Sequence, residues 1–269
     1  MLGARRVGEL LAKHGVRPNK ALGQNFVIDP NTIRKVVETA RLEPGDTVLE
    51  IGPGVGSLTR GLAGSAMRVI AVEIDERLIP VLQEGTSDLP NVEIVLGDAL
   101  KADLGSFGAT KLVANLPYNV AVPIVMRALE TAPDITRLTV MAQREVGERL
   151  AASPGSKVYG APSVLVRYYS EPLVVARIAR NAFFPVPNVD SVLVELTRHE
   201  PPNVEGAAFF AVVRAAFGQR RKSIRNSLGS LLGPVADETI HAAGLDPSVR
   251  PEQLTLEGFV TLARLVSKE

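Results

Sequence analysis

The chain has 269 residues, 46% of them apolar, which is enough for one large core and a small second unit. It contains no cysteine, which excludes disulfides, thiolate nucleophiles and cysteine-based zinc sites, and His14, His199 and His241 show no metal-ligand spacing. Net charge is only +1, but residues 1–41 and 206–236 each carry net +5 and the remainder net −9.

In chain order, Gly3 to His14 alternates apolar and charged residues at helical spacing until Gly15 stops it. Asp29 or Asn31 is suited to cap a helix running to about Ala40. The apolar runs 47–51, 67–72, 92–96, 111–114 and 137–143 read as strands, the first four followed by Gly52, Glu73, Asp98 and Asn115. Helical segments are expected at 55–62, 76–83 and 123–130, so strands alternate with helices as in an open parallel α/β sheet. Residues 164–179 and 191–197 read as later, antiparallel-compatible strands. Beyond Pro201 the pattern is helical, at 207–217, 222–232, 237–243 and 256–266, which sets a domain boundary near 200.

No apolar signal core or membrane-length apolar run occurs, so a cytoplasmic protein without membrane or metal is expected. The basic ends fit a polyanion-binding enzyme, and they also fit solvated helix faces.

Glu50-Ile51-Gly52-Pro53-Gly54-Val55-Gly56 joins the first strand to its helix, the position of the ligand crevice in a doubly wound sheet. Gly52 and Gly54 allow close approach of a ligand to the backbone. The spacing lacks the phosphate fingerprint and no Lys-Ser/Thr follows, which disfavours a P-loop. An acidic, glycine-rich lip suits S-adenosylmethionine, which carries a cationic sulfonium and no phosphate. Glu73 is suited to ribose hydroxyls and Asp98 to an adenine amino group, and at this level NAD binding also fits.

Asn115-Leu116-Pro117-Tyr118 separates these readings. An adenine amino nitrogen is a poor nucleophile because its lone pair is delocalised into the ring. The Asn115 side-chain carbonyl and a backbone carbonyl of the Leu116-Pro117 turn can accept its two N–H groups. Pro117 stiffens the turn, and Tyr118 offers a ring on which the base can stack. Such a site works mainly by orientation and needs no strong base.

The chain resembles the KsgA/RsmA family of bacterial small-subunit rRNA adenine dimethyltransferases across nearly its whole length. The resemblance lies in Leu22-Gly23-Gln24-Asn25-Phe26-Val27, in the segment from Glu50 to Thr59, in Asn115 to Tyr118 and in Gln143-Arg144-Glu145-Val146. It continues in the segment from Phe183 to Ser191 (Phe-Phe-Pro-Val-Pro-Asn-Val-Asp-Ser) and in the basic segment Phe217 to Leu228. Val27 stands where the family usually has Leu, a swap that keeps an apolar contact.

The resemblance implies a Rossmann-like class I S-adenosylmethionine-dependent methyltransferase domain with a basic amino-terminal extension over 1–200. A small all-helical RNA-binding domain over 201–269 would follow. It implies that Asn25, Val27, Gly52, Glu73, Asp98 and Asn115 contact the cofactor, that Asn115 and Leu116 hold the amino group, and that Tyr118 and Phe183 sandwich the base. Arg220, Arg221, Lys222 and Arg225 would face RNA. The implied product is N6,N6-dimethyladenosine at two adjacent adenosines in the 3′-terminal hairpin of 16S rRNA, made on the small subunit or its precursor with S-adenosylhomocysteine released. A monomer is expected. Three alternatives stay open: a 23S rRNA adenine methyltransferase of the antibiotic-resistance type, a non-catalytic RNA-binding assembly factor, and an NAD-dependent oxidoreductase.

Overall fold

Helix and strand alternate from the start of the chain in α1 (Ala4–Lys13), β1 (Phe26–Val27), α2 (Pro30–Ala40), β2 (Thr47–Ile51), α3 (Ser57–Ala63) and β3 (Arg68–Glu73). The pattern continues through α4 (Ile79–Gly85), β4 (Val92–Leu96), β5 (Lys111–Asn115), α5 (Ala121–Thr131), β6 (Arg137–Gln143) and α6 (Arg144–Leu150). The structure, a computed structural model, describes residues 2–19, 22–117, 120–219 and 222–267.

Local chemistry accounts for the boundaries. Asp29 caps α2, its carboxylate accepting from Thr32 N–H at 2.8 Å, with Pro30 in the first helical position where no N–H is needed. Every residue of β2 is buried, as expected for a strand covered on both faces. The order β4-β3-β2-β5-β6-β9-β7 forms one seven-stranded sheet, in which β9 is Ser191–Arg198 and β7 is Ser170–Ile178. Pairings among β2 to β6 are parallel, and β9 runs antiparallel to β6. The parallel order reverses direction between β2 and β5, which makes that edge the topological switch point where α/β sheets open a crevice. A separate two-stranded ribbon pairs β1 with β8 (Phe183–Phe184).

The chain divides into two units, residues 1–147 with 172–198 and residues 148–171 with 199–269. In the first, Ile33, Val36, Val48, Leu62, Val113 and Leu193 belong to one buried cluster across the sheet. α1 adds Val7, Leu10 and Leu11 to a second cluster with Leu78 and Val81, so the basic amino-terminal segment is docked through its apolar face. The second unit holds α7 (Ala161–Tyr169), α8 (Gly206–Gly218), α9 (Ile224–Leu232), α10 (Ala236–Ala242) and α11 (Leu256–Val266).

Two sequence expectations change here. Residues 164–169 form the end of a helix rather than a strand, and strand geometry starts only at Ser170. The apolar residues Val164 and Tyr168 lie one helical turn apart and pack into the helical core, with the Tyr168 ring stacked 4.6 Å from Phe209. Ser163 secures the start of this helix, its Oγ accepting from the N–H of the capping Gly160 at 3.1 Å. The same packing draws residues 148–171 into the helical unit, so the chain crosses between units at 147/148, 171/172 and 198/199 rather than once near residue 200.

Candidate active site

The switch point brings two strand ends together. Ile51 pairs with Ala114, so Gly52 and Asn115 emerge side by side from β2 and β5. The chain then turns through glycines with positive φ, +71° at Gly52, +59° at Gly54 and +86° at Gly56. Glycine is required most strictly at Gly54. A Cβ there would lie 2.6 Å from the Phe26 ring, in a backbone conformation L-residues avoid.

These elements enclose a cavity of about 320 Å³. Ten of the residues expected from sequence line it: Asn25, Val27, Gly52, Gly54, Glu73, Asp98, Asn115, Leu116, Pro117 and Phe183. Tyr118 lies outside the described residues.

The carboxylates at the glycine-loop end depart from the sequence expectation of an acidic lip. Glu50 is 1% exposed, and burial pushes its carboxyl up to about 8, so it is mostly neutral at neutral pH. The Glu73 charge works in the same direction. The Thr59 hydroxyl tempers the shift, although neither it nor Glu50 Oε2 completes a hydrogen bond among the described residues. Glu73 is also buried and shifted upward by desolvation. Its oxygens accept from Gly54 N–H at 3.0 Å and Asp75 N–H at 2.9 Å, so it braces the loop as well as facing the cavity. Asp98 is partly exposed and accepts from Leu100 N–H at 2.9 Å, which fixes the turn after β4.

At the other end, Asn115 is oriented by a long-range bond. Its Nδ2 donates to the Asn25 carbonyl at 2.7 Å. A backbone carbonyl only accepts, so the amide orientation is settled and Oδ1 is left as an acceptor on a residue that lines the cavity. Leu116 N–H donates to Met141 O at 2.9 Å, tying the turn to β6. Phe183 pairs with Val27 across the β1–β8 ribbon, is 2% exposed and lines the cavity while packing in the main core.

Sequence reasoning reached the wall built by Leu22 to Phe26 only through the resemblance, which gave Asn25 a role and Gln24 none. Gln24 secures it, donating to Asp75 Oδ2 at 2.8 Å. Arg77 and then Gln24 hold the Asp75 carboxyl down at about 2. The only sequence signal for this wall was the resemblance of its motif, because two-residue strands carry no periodicity.

Of the basic carboxy-terminal residues, Lys222 and Arg225 are exposed in the helical unit, and Arg220 and Arg221 lie outside the described residues. Arg225 is engaged by Asp237 at 2.7 Å, which offsets its charge. No group of described His, Cys, Asp or Glu residues could hold a metal ion, and no described helix is long and apolar enough to cross a membrane.

A family model described as ribosomal RNA adenine dimethylase matches residues 15–268. A ribosomal RNA small subunit methyltransferase A from Streptomyces griseus is 48% identical over 274 residues, covering 98% of this chain and 94% of that protein. The protein of that name from Moorella thermoacetica is 45% identical, with 95% and 94% covered. Among solved structures, the 23S rRNA methyltransferase ErmE is 32% identical with a TM-score of 0.71, covering 90% of this chain and 100% of that one. A dimethyladenosine transferase from Plasmodium falciparum shares the fold at 24% identity and a TM-score of 0.76, with 88% and 95% covered.

Proposed function

Because the chain belongs to the ribosomal RNA adenine dimethylase family, we propose that it converts adenosine to N6,N6-dimethyladenosine in small-subunit ribosomal RNA, using S-adenosylmethionine. The finer substrate reading is two adjacent adenosines of the 3′-terminal hairpin of 16S rRNA. The relatives named for the small subunit, at 45% and 48% identity, support it over the 23S type, whose solved representative is 32% identical.

The residues present fit this cofactor. Glu50 Oε2 and Ser57 Oγ are buried without a hydrogen-bond partner among the described residues, and both residues line the cavity. A ligand with ammonium donors would satisfy them, at a site where leaving them unpaired costs roughly 1–3 kcal/mol each. Three of the glycines with positive φ, Gly23, Gly52 and Gly54, line the cavity and keep those parts of its wall free of side chains. In this reading Glu73 and Asp98 accept from the ribose and the cofactor's adenine, and Asn25 and Val27 close the near side. When bound, S-adenosylmethionine supplies an electrophilic methyl group on a sulfonium.

The observation that carries the reading is the commitment of Asn115 Nδ2 to the Asn25 carbonyl. The remaining Oδ1 accepts one N–H of the target amino group. A carbonyl of the Leu116-Pro117 turn accepts the other, and the Phe183 ring provides a stacking face. Both acceptors draw electron density onto the nitrogen and aim its lone pair. The N–H proton becomes acidic only as the new C–N bond forms, so it leaves late, to water or a backbone acceptor. Each transfer consumes one S-adenosylmethionine and releases S-adenosylhomocysteine and a proton, and dimethylation repeats the cycle on the same nitrogen.

The test is transfer of labelled methyl to ribosomal subunits from a strain lacking the modification, with mass spectrometry of the RNA. Dimethyladenosine in 16S RNA is expected. Label confined to 23S RNA overturns the small-subunit assignment, and binding to the particle without transfer overturns the catalytic one.

A further inference from the structure

Two segments singled out in the sequence have no part in the cavity above, Gln143-Arg144-Glu145-Val146 and the stretch Asn188-Val189-Asp190. The fold zips them together. The β6–β9 register ends with Gln143 opposite Ser191, and Arg144 N–H donates to Asp190 O at 3.0 Å. Arg180 closes a third side, its Nη1 donating to Asn188 O at 3.3 Å. Together they line a polar cleft of about 480 Å³, within the size range of small-ligand sites, roughly 300–1,000 Å³.

The loop between Arg180 and Asn188 also carries Phe183, which lines the cavity. β6, which ends at Gln143 in the cleft, pairs through Met141 with Asn115. Arg144 and Arg180 are exposed, and neither is in an ion pair with a described residue, although Glu145 and Asp190 line the same cleft. Two guanidiniums without a described carboxylate partner, one of them giving a single bond to a backbone carbonyl, favour a phosphate, with Arg suited to phosphate through its fork geometry. The carboxylates and the Gln143 and Asn188 amides would be a poor lining for a bare anion. They suit a ligand that carries donors as well as negative charge, as a nucleotide does.

We propose that this cleft is a second nucleotide subsite, which holds the residue adjoining the adenosine in the cavity. Arg144 and Arg180 take its backbone phosphate, and the amides and Asp190 meet the edge of its base. The inference rests on the function proposed above. An adenosine presented to the cavity must be splayed out of its strand, and its neighbour then emerges at the rim, where such a cleft can hold it.

The experiment compares the full-length protein with the double variant Arg144→Ala/Arg180→Ala on unmodified small-subunit particles. The KM for the particle should rise about tenfold, as for loss of a charge-assisted contact, with kcat changed less than about twofold. The slope of log KM against log salt should flatten by about 0.7 for one lost single-strand phosphate. S-adenosylmethionine binding by calorimetry should be unchanged, which also shows that the variant is folded. Arg180→Lys should restore most of the slope, because it keeps the point charge. On short RNAs, Asp190→Asn should weaken a preference for a neighbouring base with an exocyclic amino group, adenine, cytosine or guanine, over uracil. An unchanged KM and salt slope in the double variant overturn the subsite, as does a loss confined to kcat. If the unaltered protein methylates no ribosomal RNA at all, the proposed function fails instead.

Discussion

The two ends of the cavity are built in opposite ways. The glycine-loop end comes mainly from one continuous stretch, β2 through α3, joined by the ends of β3 and β4. The Asn115 end is assembled from three distant segments, Asn25 to Val27, Asn115 to Pro117 and Phe183, and its central hydrogen bond spans 90 positions. The first depends on local backbone preferences that the chain satisfies as soon as the sheet forms. The second exists only when the β1–β8 ribbon has closed over the sheet, so its acceptor geometry depends on tertiary packing. They differ electrically as well: buried carboxyls at one end, and a neutral amide fixed by a backbone carbonyl at the other.

The sharpest break between the ends is Asn115→Ala. It removes the proposed acceptor and releases the Asn25 carbonyl, while leaving the glycine loop intact. A loss in kcat of about 100-fold or more is expected, by analogy with removal of a preorganised transition-state contact. Cofactor affinity should change far less. A kcat within threefold of the unaltered protein, measured by label transfer, would remove Asn115 from the chemistry.

Gly54→Ala tests where the ends meet, because Gly54 touches the Phe26 ring of the β1 segment. Left-handed backbone costs an alanine roughly 1–2 kcal/mol, and the ring contact adds to that. Reduced thermal stability and about tenfold weaker cofactor binding are expected. Pairing the change with Phe26→Leu should recover the steric part only. Full recovery would show that backbone conformation is unimportant at Gly54.

This contrast also explains what could be read before folding. The glycine loop and the carboxylates after successive strands were legible because parallel strands place consecutive carboxy ends along one edge, so sequence order maps onto space. The pairing of Val27 with Phe183 was not, because nothing within a two-residue strand states its partner. Nor was the protonation of Glu50. Its letter reads as an anion, and only full burial beside Glu73 makes it an acid that retains its proton. The helix at 161–169 was missed for a third reason. Its β-branched residues favour strand locally, and the packing of Tyr168 on Phe209 outweighs that preference.

Phe183→Leu gives a smaller effect and separates the two duties of that side chain. Leucine keeps apolar bulk in the core that Phe183 shares with Val27 and Leu193, but removes the ring. If the ring stacks on the target base, kcat/KM should fall by the equivalent of about 1–3 kcal/mol. A loss of stability with kcat/KM preserved would make Phe183 a packing residue alone.

Glu50→Gln should have the smallest effect on the ligand-free protein at neutral pH, because a carboxyl with a pKa of about 8 is already mostly protonated there and glutamine resembles the neutral acid. Its signature lies in the pH dependence of stability without ligand. The folded pKa is raised above the ordinary 4.5, so between those values the folded state binds more protons than the unfolded chain. Stability is therefore fully present below about 4.5, falls as pH rises toward about 8, and levels off above it. Glu73 slopes in the same direction and is retained in both proteins, so the difference between them isolates Glu50. Denaturation at intervals from pH 5 to 9 should show the variant gaining on the parent by an amount on the order of a few kcal/mol across that window. Parallel curves would mean that Glu50 is ionised in the folded protein, and the glycine-loop end would then be the acidic lip its sequence suggests.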